Sequence, residues 1–519
     1  MSNALPVPGF RSAPLAAALL IALGAGAGVP AVASPRAAPP DTSWIRLRID
    51  AAHRLFPQLP GPRSEATARP ATLLPVANCH DDGPGSLRAT VAAALDGDTV
   101  DLSSLSCGRI TLETGAIALP VANLTLQGPG AGALAIDGNG LDRVFFHPFG
   151  GWLQLRGMTV EGGRVRATGF DVTGGGCIAS AGYLVLEDAC VRNCYAGGEG
   201  AYGGAVYAYY LGMTRSTLGG NVAHGVHENA GTAAFGGAAF VYSMALVDST
   251  VSGNLAHHTV QEGRTSYDIG GGLIAVRGGS ISRSTIDSNV ADGRGGGIAA
   301  FSDIALSNST VSGNTAAAAM GGGVFARRPA TLEIGNSTIS NNQAATAGGG
   351  IWLAATDAWL DSTLVYGNRA GSGSDIEAAY SLAIHGSANL VGSSGALVAL
   401  PADTAAGDPR LGPLAWNGGA TRTHALGAGS TAVDAGSNPD GLASDQRGDG
   451  FPRQFGDAID IGAYEQQGVS GAPAASPVPA LATWLQLALA ALLGSAALAR
   501  FRREIGRSPG APKNGQRTM

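Results

Sequence analysis

Residues 284–298 read Ser284-Thr285-Ile286-Asp287-Ser288-Asn289-Val290-Ala291-Asp292-Gly293-Arg294-Gly295-Gly296-Gly297-Ile298. Two signatures lie in this stretch: Ser-Thr-aliphatic-x-x-Asn, and a glycine triplet closed by an apolar residue. Both recur. The first returns from Ser216 to Asn221, Ser249 to Asn254, Ser309 to Asn314 and Ser337 to Asn342. A variant one residue longer runs from Ser362 to Asn368, and degenerate copies begin near Met158 and Ala189. The triplet returns at Gly270–Gly272, Gly321–Gly323 and Gly348–Gly350.

From Ser216 the serines are spaced 33, 35, 25, 28 and 25 residues apart. Recurrence at spacings of this size marks a stacked repeat whose copies differ in loop length. A helical repeat would show a 3.6-residue apolar period without a glycine triplet in each copy. Here the apolar residues alternate over short runs, β-branched residues are common and turns recur every few residues, which favours strands. The expected fold is all-β, a right-handed parallel β-helix. Each coil of about 25 residues supplies three short strands, and ten to twelve coils at ~4.8 Å each give a rod of ~50–60 Å.

The recurring asparagines have a physical role in such a rod. Asn221, Asn254, Asn289, Asn314 and Asn342 are expected to stack at one turn. Their side-chain amides then hydrogen-bond along the axis and satisfy buried backbone groups. The glycines allow positive φ and close approach of successive coils. A rod must also cap its ends. Ser86 is placed to cap a short helix, Leu87 to Leu95, with Leu87, Val91 and Leu95 on one face. Cys79 and Cys107 flank it and are expected to pair in an exported protein. Cys177, Cys190 and Cys194 leave an odd number, read as one further pair and one buried thiol.

Composition agrees with this reading. The chain has 519 residues, 80 of them glycine, and charged residues make up 13%. Its formal net charge is −6, but residues outside 76–467 carry +9, which leaves −15 on that span. A body so charged repels phosphate backbones, so nucleic acid is not an expected partner.

The termini read as targeting segments. Residues 1–33 form an expected signal peptide: Arg11, an apolar run from Ala13 to Gly28, and a small-x-small site at Ala31-Val32-Ala33. Residues 34–75 are a Pro/Arg-rich linker. The β-helix with its N-terminal cap is expected over 76–395, a C-terminal region over 396–467 and a second linker over 468–477. Val478 to Ala499 holds no charge, and 22 residues of helix span ~33 Å, about one bilayer. Arg500, Arg502 and Arg503 follow and are expected to stay cytoplasmic, with a basic tail over 504–519.

Three segments resemble known bacterial families. Asn78-Cys79-His80-Asp81-Asp82-Gly83-Pro84-Gly85-Ser86-Leu87-Arg88 resembles the entry segment of surface β-helix proteins of the pectate-lyase-like superfamily. Asn389-Leu390-Val391-Gly392, Asp408 to Leu414, Asn417 to Leu426, Ser430 to Gly436, Asp445-Gln446-Arg447-Gly448 and Asp460 to Glu465 resemble, in order, a choice-of-anchor Q domain. Val478-Pro479-Ala480-Leu481-Ala482-Thr483-Trp484, an apolar helix and arginines resemble an IPTL-CTERM sorting signal, with Val and Ala at its first and third positions. These resemblances imply export, a membrane hold through the C-terminal helix, and the secretion machinery and a membrane sorting protease as partners. They imply residence at the cell envelope or surface, or secretion, with a transient or permanent membrane anchor at the C-terminus, and name no activity. Asp434, Asp445, Arg447 and Asp460 read as a polar network closing the rod, with His424 a satisfied structural histidine.

Chemistry on the rod is harder to find. The Asn-Thr-Asp, Gly-His-Gly and Arg-Ile-Lys signatures of polygalacturonases are absent. No cofactor and no catalytic residue is assigned. One column stands out: three residues past the repeat asparagine lie His224, His257 and Asp292. Equal offsets on successive coils place them one above another, ~4.8 Å apart, as a metal or acid–base candidate or as a polar loop surface. The same long coils add His227, Glu228, His258, Glu262, Arg264 and Asp268. Tyr207 with Phe240, and Tyr209 with Tyr242, also fall at equal offsets, one column expected inside and the other outside, where tyrosines stack on sugars. The expected function is a surface structural or interaction protein, an adhesin or display scaffold with a glycan or cell-surface ligand. The alternatives are a lyase or hydrolase of acidic polysaccharides and a carbohydrate-binding protein.

Overall fold

The computed structural model describes residues 70–467, apart from 168–171, 227–232, 260–268, 328–329 and 355–356. The signal peptide, most of the first linker, the sorting segment, His227, Glu228, Glu262, Arg264 and Asp268 lie outside the described residues. Among the described residues no helix is long and apolar enough to cross a membrane.

The chain winds as a parallel β-solenoid. Strands of successive coils pair in register to form an eighteen-stranded, an eleven-stranded and a seven-stranded sheet. In one coil, Ile298–Ala300 and Ile304–Ser307 belong to the first sheet, Thr310–Ser312 to the second and Thr315–Ala316 to the third. Period-2 alternation sends every second residue of a strand inward. Ile286, Val311, Ile339 and Val365 are paired coil to coil and buried, as are Ile281, Leu306, Ile334 and Leu360. Burying such side chains at about 25 cal/mol per Å² is what holds the coils together.

Each corner is built by the repeat signature. Asn221 Nδ2 donates to Asn254 Oδ1, and the chain of amides continues through Asn289, Asn314, Asn342 and Asn368 at 2.8–2.9 Å, ending on Asp375. Each amide also donates to a carbonyl of the preceding coil, such as Asn289 to Val251, so both of its hydrogens are used. The serines that open the signature form a second ladder. The backbone N–H of Ser249 donates to Ser284 Oγ, and that of Ser284 to Ser309 Oγ, while each hydroxyl donates to the carbonyl two residues before it. The residue before each of these serines, such as Asp248, Arg283 or Asn308, sits at positive φ and turns the corner.

The glycine triplet serves the same stack. Gly295 has φ +68°. A Cβ on Gly296 would strike the Gly322 carbonyl and the Thr315 backbone, and one on Gly297 would lie 3.0 Å from the Asn314 amide carbon. The triplet lets the next coil close over the asparagine ladder.

Four features differ from the sequence expectations. The cap helix spans Leu87–Ala93, and Ala94 is already extended, so Leu95 lies beyond the helix; Ser86 does cap it, accepting from Ala89 N. The rod begins at the strand Leu73–Pro75, which pairs with Thr99–Asp101, inside the segment expected to be linker. Tyr207 and Phe240 are buried, but outside the inner core, in a second apolar cluster with Tyr202 and Phe235 of a three-stranded sheet raised on the long coils. The C-terminal region does not simply close the end of the rod. Residues 421–463 run back along the outer face of the eleven-stranded sheet, where Thr285, Thr310 and Thr338 are buried while Thr217 and Thr250 are not.

Cys79 pairs with Cys107, as expected, and Cys177 with Cys194, leaving Cys190 free. Cys194 occupies the ladder position one coil before Asn221: its N–H donates to Asn221 Oδ1. A disulfide therefore takes over where the asparagines stop.

Candidate functional site

The His224–His257–Asp292 column forms. His224 and His257 are register partners on the strands Val222–Val226 and Leu255–Thr259. Their rings stack with centroids 5.0 Å apart and planes 23° from parallel. His257 Nδ1 meets Asp292 Oδ2 at 2.6 Å, and the N–H of His258 donates to the same oxygen at 3.2 Å.

The column is longer than the three residues. Counting the same offset from Cys194 gives Gly197, the register partner of His224, and one coil earlier stands Arg166. Gly197 has no side chain, and the Tyr195 ring lies over it. The Tyr195 hydroxyl bonds His224 Nδ1 at 2.8 Å, and His224 Nε2 bonds Thr259 Oγ1 at 2.9 Å. The guanidinium carbons of Arg164 and Arg166 lie 4.6 and 5.4 Å from the Tyr195 ring centroid. From end to end the column reads arginine, tyrosine, histidine, histidine, aspartate. Burial, then the neighbouring His257 and Arg166, hold the His224 pKa below its ordinary value, so that imidazole is neutral at pH 7.

This arrangement does not suit a metal. Imidazole lone pairs lie in the ring plane, and near-parallel rings 5.0 Å apart cannot both aim at one ion ~2 Å from each nitrogen. Both nitrogens of His224 are engaged. Among the described residues no group of three His, Cys, Asp or Glu side chains is placed to hold a metal ion. The equal-offset count found the two histidines and the aspartate. It missed Tyr195, whose ring reaches over from two residues away, and the two arginines.

Other aromatic rings lie on the outside of the rod. Trp152, Tyr183 and Tyr210 are register partners on successive coils. Tyr183 lies 6.0 Å from Tyr209 and 5.6 Å from Tyr210, and Tyr209 stacks on Tyr242 at 5.4 Å, all centroid to centroid. Trp152 and Tyr209 are about half exposed, whereas Tyr242 is buried.

The C-terminal flank is a third cluster, and its contacts are structural. Arg447 lies between Phe451 and Tyr464, 4.0 Å from each centroid, and pairs with Asp445 at 2.6 Å. Asp434 N donates to Asp460 Oδ1, and His424 bonds Ser312 Oγ and the Gly412 carbonyl.

No known protein family, curated protein or solved structure matches this chain.

Proposed function

We propose that this is an exported, surface-directed interaction protein, an adhesin or display scaffold, whose solenoid presents ligand-binding side chains over several coils. The observation that carries the reading is the strip of rings from Trp152 through Tyr183 to Tyr209, backed by the buried Tyr242, with Trp152 and Tyr209 about half open to solvent. Open rings in a row suit a sugar chain, whose apolar faces stack on them. The two disulfides support an oxidising compartment.

The finer assignment rests on the residues quoted above. The entry segment and the ordered motifs from Asn389 to Glu465 support a pectate-lyase-like surface β-helix with a choice-of-anchor region. Val478, Pro479, Trp484, Arg500, Arg502 and Arg503 support delivery by the secretion machinery and handling by a membrane sorting protease.

Surface protease treatment of intact cells, followed by glycan and cell-adhesion arrays with the purified protein, tests the proposal. Surface exposure with selective ligand capture is the expected result. Unsaturated product or new reducing ends from a panel of polyuronates would replace binding with catalysis, and a cytoplasmic protein would end the reading. Mass spectrometry of the mature C-terminus shows whether the segment after 478 is removed.

A further inference from the structure

We infer that the C-terminal flank is a proton-operated clasp: a proton held in its buried acidic pair, Asp460 and Glu465, keeps residues 461–463 seated on the rod, and loss of that proton loosens them. The inference goes beyond the reading above and does not depend on it.

The charge count carries the argument. Asp445, Arg447, Arg453, Asp460 and Glu465 are all buried, in the stretch of chain that bears the seat. Asp445 is matched: it pairs with Arg447 at 2.6 Å and accepts the backbone N–H groups of Arg447 and Glu465. Arg453 is then the one remaining cation of the five for two carboxylates. Its Nη2 donates to the Asp460 carbonyl and stands 3.9 Å from Glu465 Oε2, too far to hydrogen-bond. Its Nε and Nη1 are buried without a hydrogen-bond partner. Glu465 accepts instead from the backbone N–H groups of Phe455 and Asp460, and Asp460 from those of Asp434 and Gln466. Three carboxylates against two guanidinium groups leave one negative charge in excess, and burial disfavours an uncompensated charge. A single proton removes it.

The surroundings do not supply the missing charge. Asp434 stands beside Asp460 and is itself acidic. Tyr464 lies on Arg447. The rod meets the seat through the Thr338 hydroxyl, the Ser362 carbonyl and Leu364, none of them charged. Burial accordingly pushes the Asp460 carboxyl above its ordinary range and that of Glu465 up to about 7, each raised further by an acidic neighbour. The proton belongs to the pair rather than to one oxygen.

On release Glu465 returns to its ordinary 4.5. The seated flank therefore binds more protons between those values. This hold is whole below pH 4.5 and is lost as the pH rises through 7. The flank opens before the rod unfolds, so the titration is read locally.

Limited proteolysis of the full chain between 421 and 463 tests the clasp, each rate divided by that for Glu465→Gln, in which the other titrating groups cancel, His424 included. The ratio should rise about tenfold from pH 6 to pH 8. Asp457→Asn, at an exposed acid of the same region, should leave it within twofold. A ratio that stays constant with pH overturns the inference. Should Glu465→Gln fail to seat the flank, infrared difference titration of the parent decides: a buried carboxyl that keeps its proton until near pH 7 supports the clasp, and carboxyls all ionised by pH 5.5 overturn it.

Discussion

The side-chain amide of Gln446 donates to the Thr285 hydroxyl at 3.0 Å, across 161 residues of chain. The same amide nitrogen lies 2.9 Å from Thr421 Oγ1 and 3.1 Å from the Arg422 carbonyl, and its oxygen accepts from Thr310 at 2.5 Å. One glutamine thereby ties the C-terminal region to two adjacent coils. Arg422 adds an ion pair to Asp287 at 2.6 Å, and Ser312 bonds His424. The flank of the rod is closed by these polar contacts together with a buried apolar seam of Leu364, Leu390, Leu426, Ala432 and Ile461.

Gln446→Leu should therefore free the flank. The substitution leaves the Thr285 and Thr310 hydroxyls buried without this partner, at a cost of about 3 kcal/mol. Limited proteolysis should cut between 421 and 463 sooner than in the parent, with the solenoid remaining resistant. Equal cleavage rates would show that the flank is held otherwise.

Asn289→Ala interrupts the asparagine ladder at its centre. It removes the acceptor for the Asn254 backbone and side chain and the donor to Val251. Two or more buried groups lose their partners, so a loss of about 3 kcal/mol is expected in chemical denaturation. Thr259→Ala, at an exposed hydroxyl, should cost under about 1 kcal/mol.

Acid should weaken the fold through His147. Its ring is buried between Ser180 Oγ and the Ala122 carbonyl, and burial pushes its pKa down to about 4. The unfolded chain takes up this proton near pH 6.5 and the folded chain only near 4, so the unfolded state binds more protons between those values. The His147 contribution is whole above pH 6.5 and is lost as the pH falls to 4, by about 3 kcal/mol. Burial shifts His424 the same way. Denaturation midpoints at pH 7.5, 6 and 4.5 should fall in that order, and His147→Gln should flatten the slope. A pH-independent difference between variant and parent would contradict it.

Thiol counting checks the cysteine pairing. Unfolded without reductant, the protein should show one reactive thiol, Cys190, and with reductant all five. In the native state Cys190 should react slowly, since burial raises its pKa. Replacing Cys79 and Cys107 by serine opens a 28-residue separation and should cost about 3–4 kcal/mol.

The ladder at Asn221 to Asn342, the glycine corners and the parallel coils were all legible because each recurs at a fixed position in a repeated unit. The His224, His257 and Asp292 column was legible for the same reason. Tyr195 was not, because its place in the column comes from a ring folding over Gly197, which no count of positions records. The course of residues 421–463 was equally hidden. Their motifs showed an ordered polar module, but nothing local says which face of the rod Gln446, Arg422 and His424 will meet.

By itself the sequence determined the period, the inward aliphatic positions and the stacked amides. Those follow from neighbours one coil away, and a repeat writes that relation into every copy. Only the tertiary structure decided that Tyr207 and Phe240 are buried outside the inner core, that Cys177 chooses Cys194, and that the C-terminal region lies along the flank. Such outcomes depend on which surfaces meet after the coils have stacked, and the energy of that meeting belongs to pairs of residues far apart in the chain.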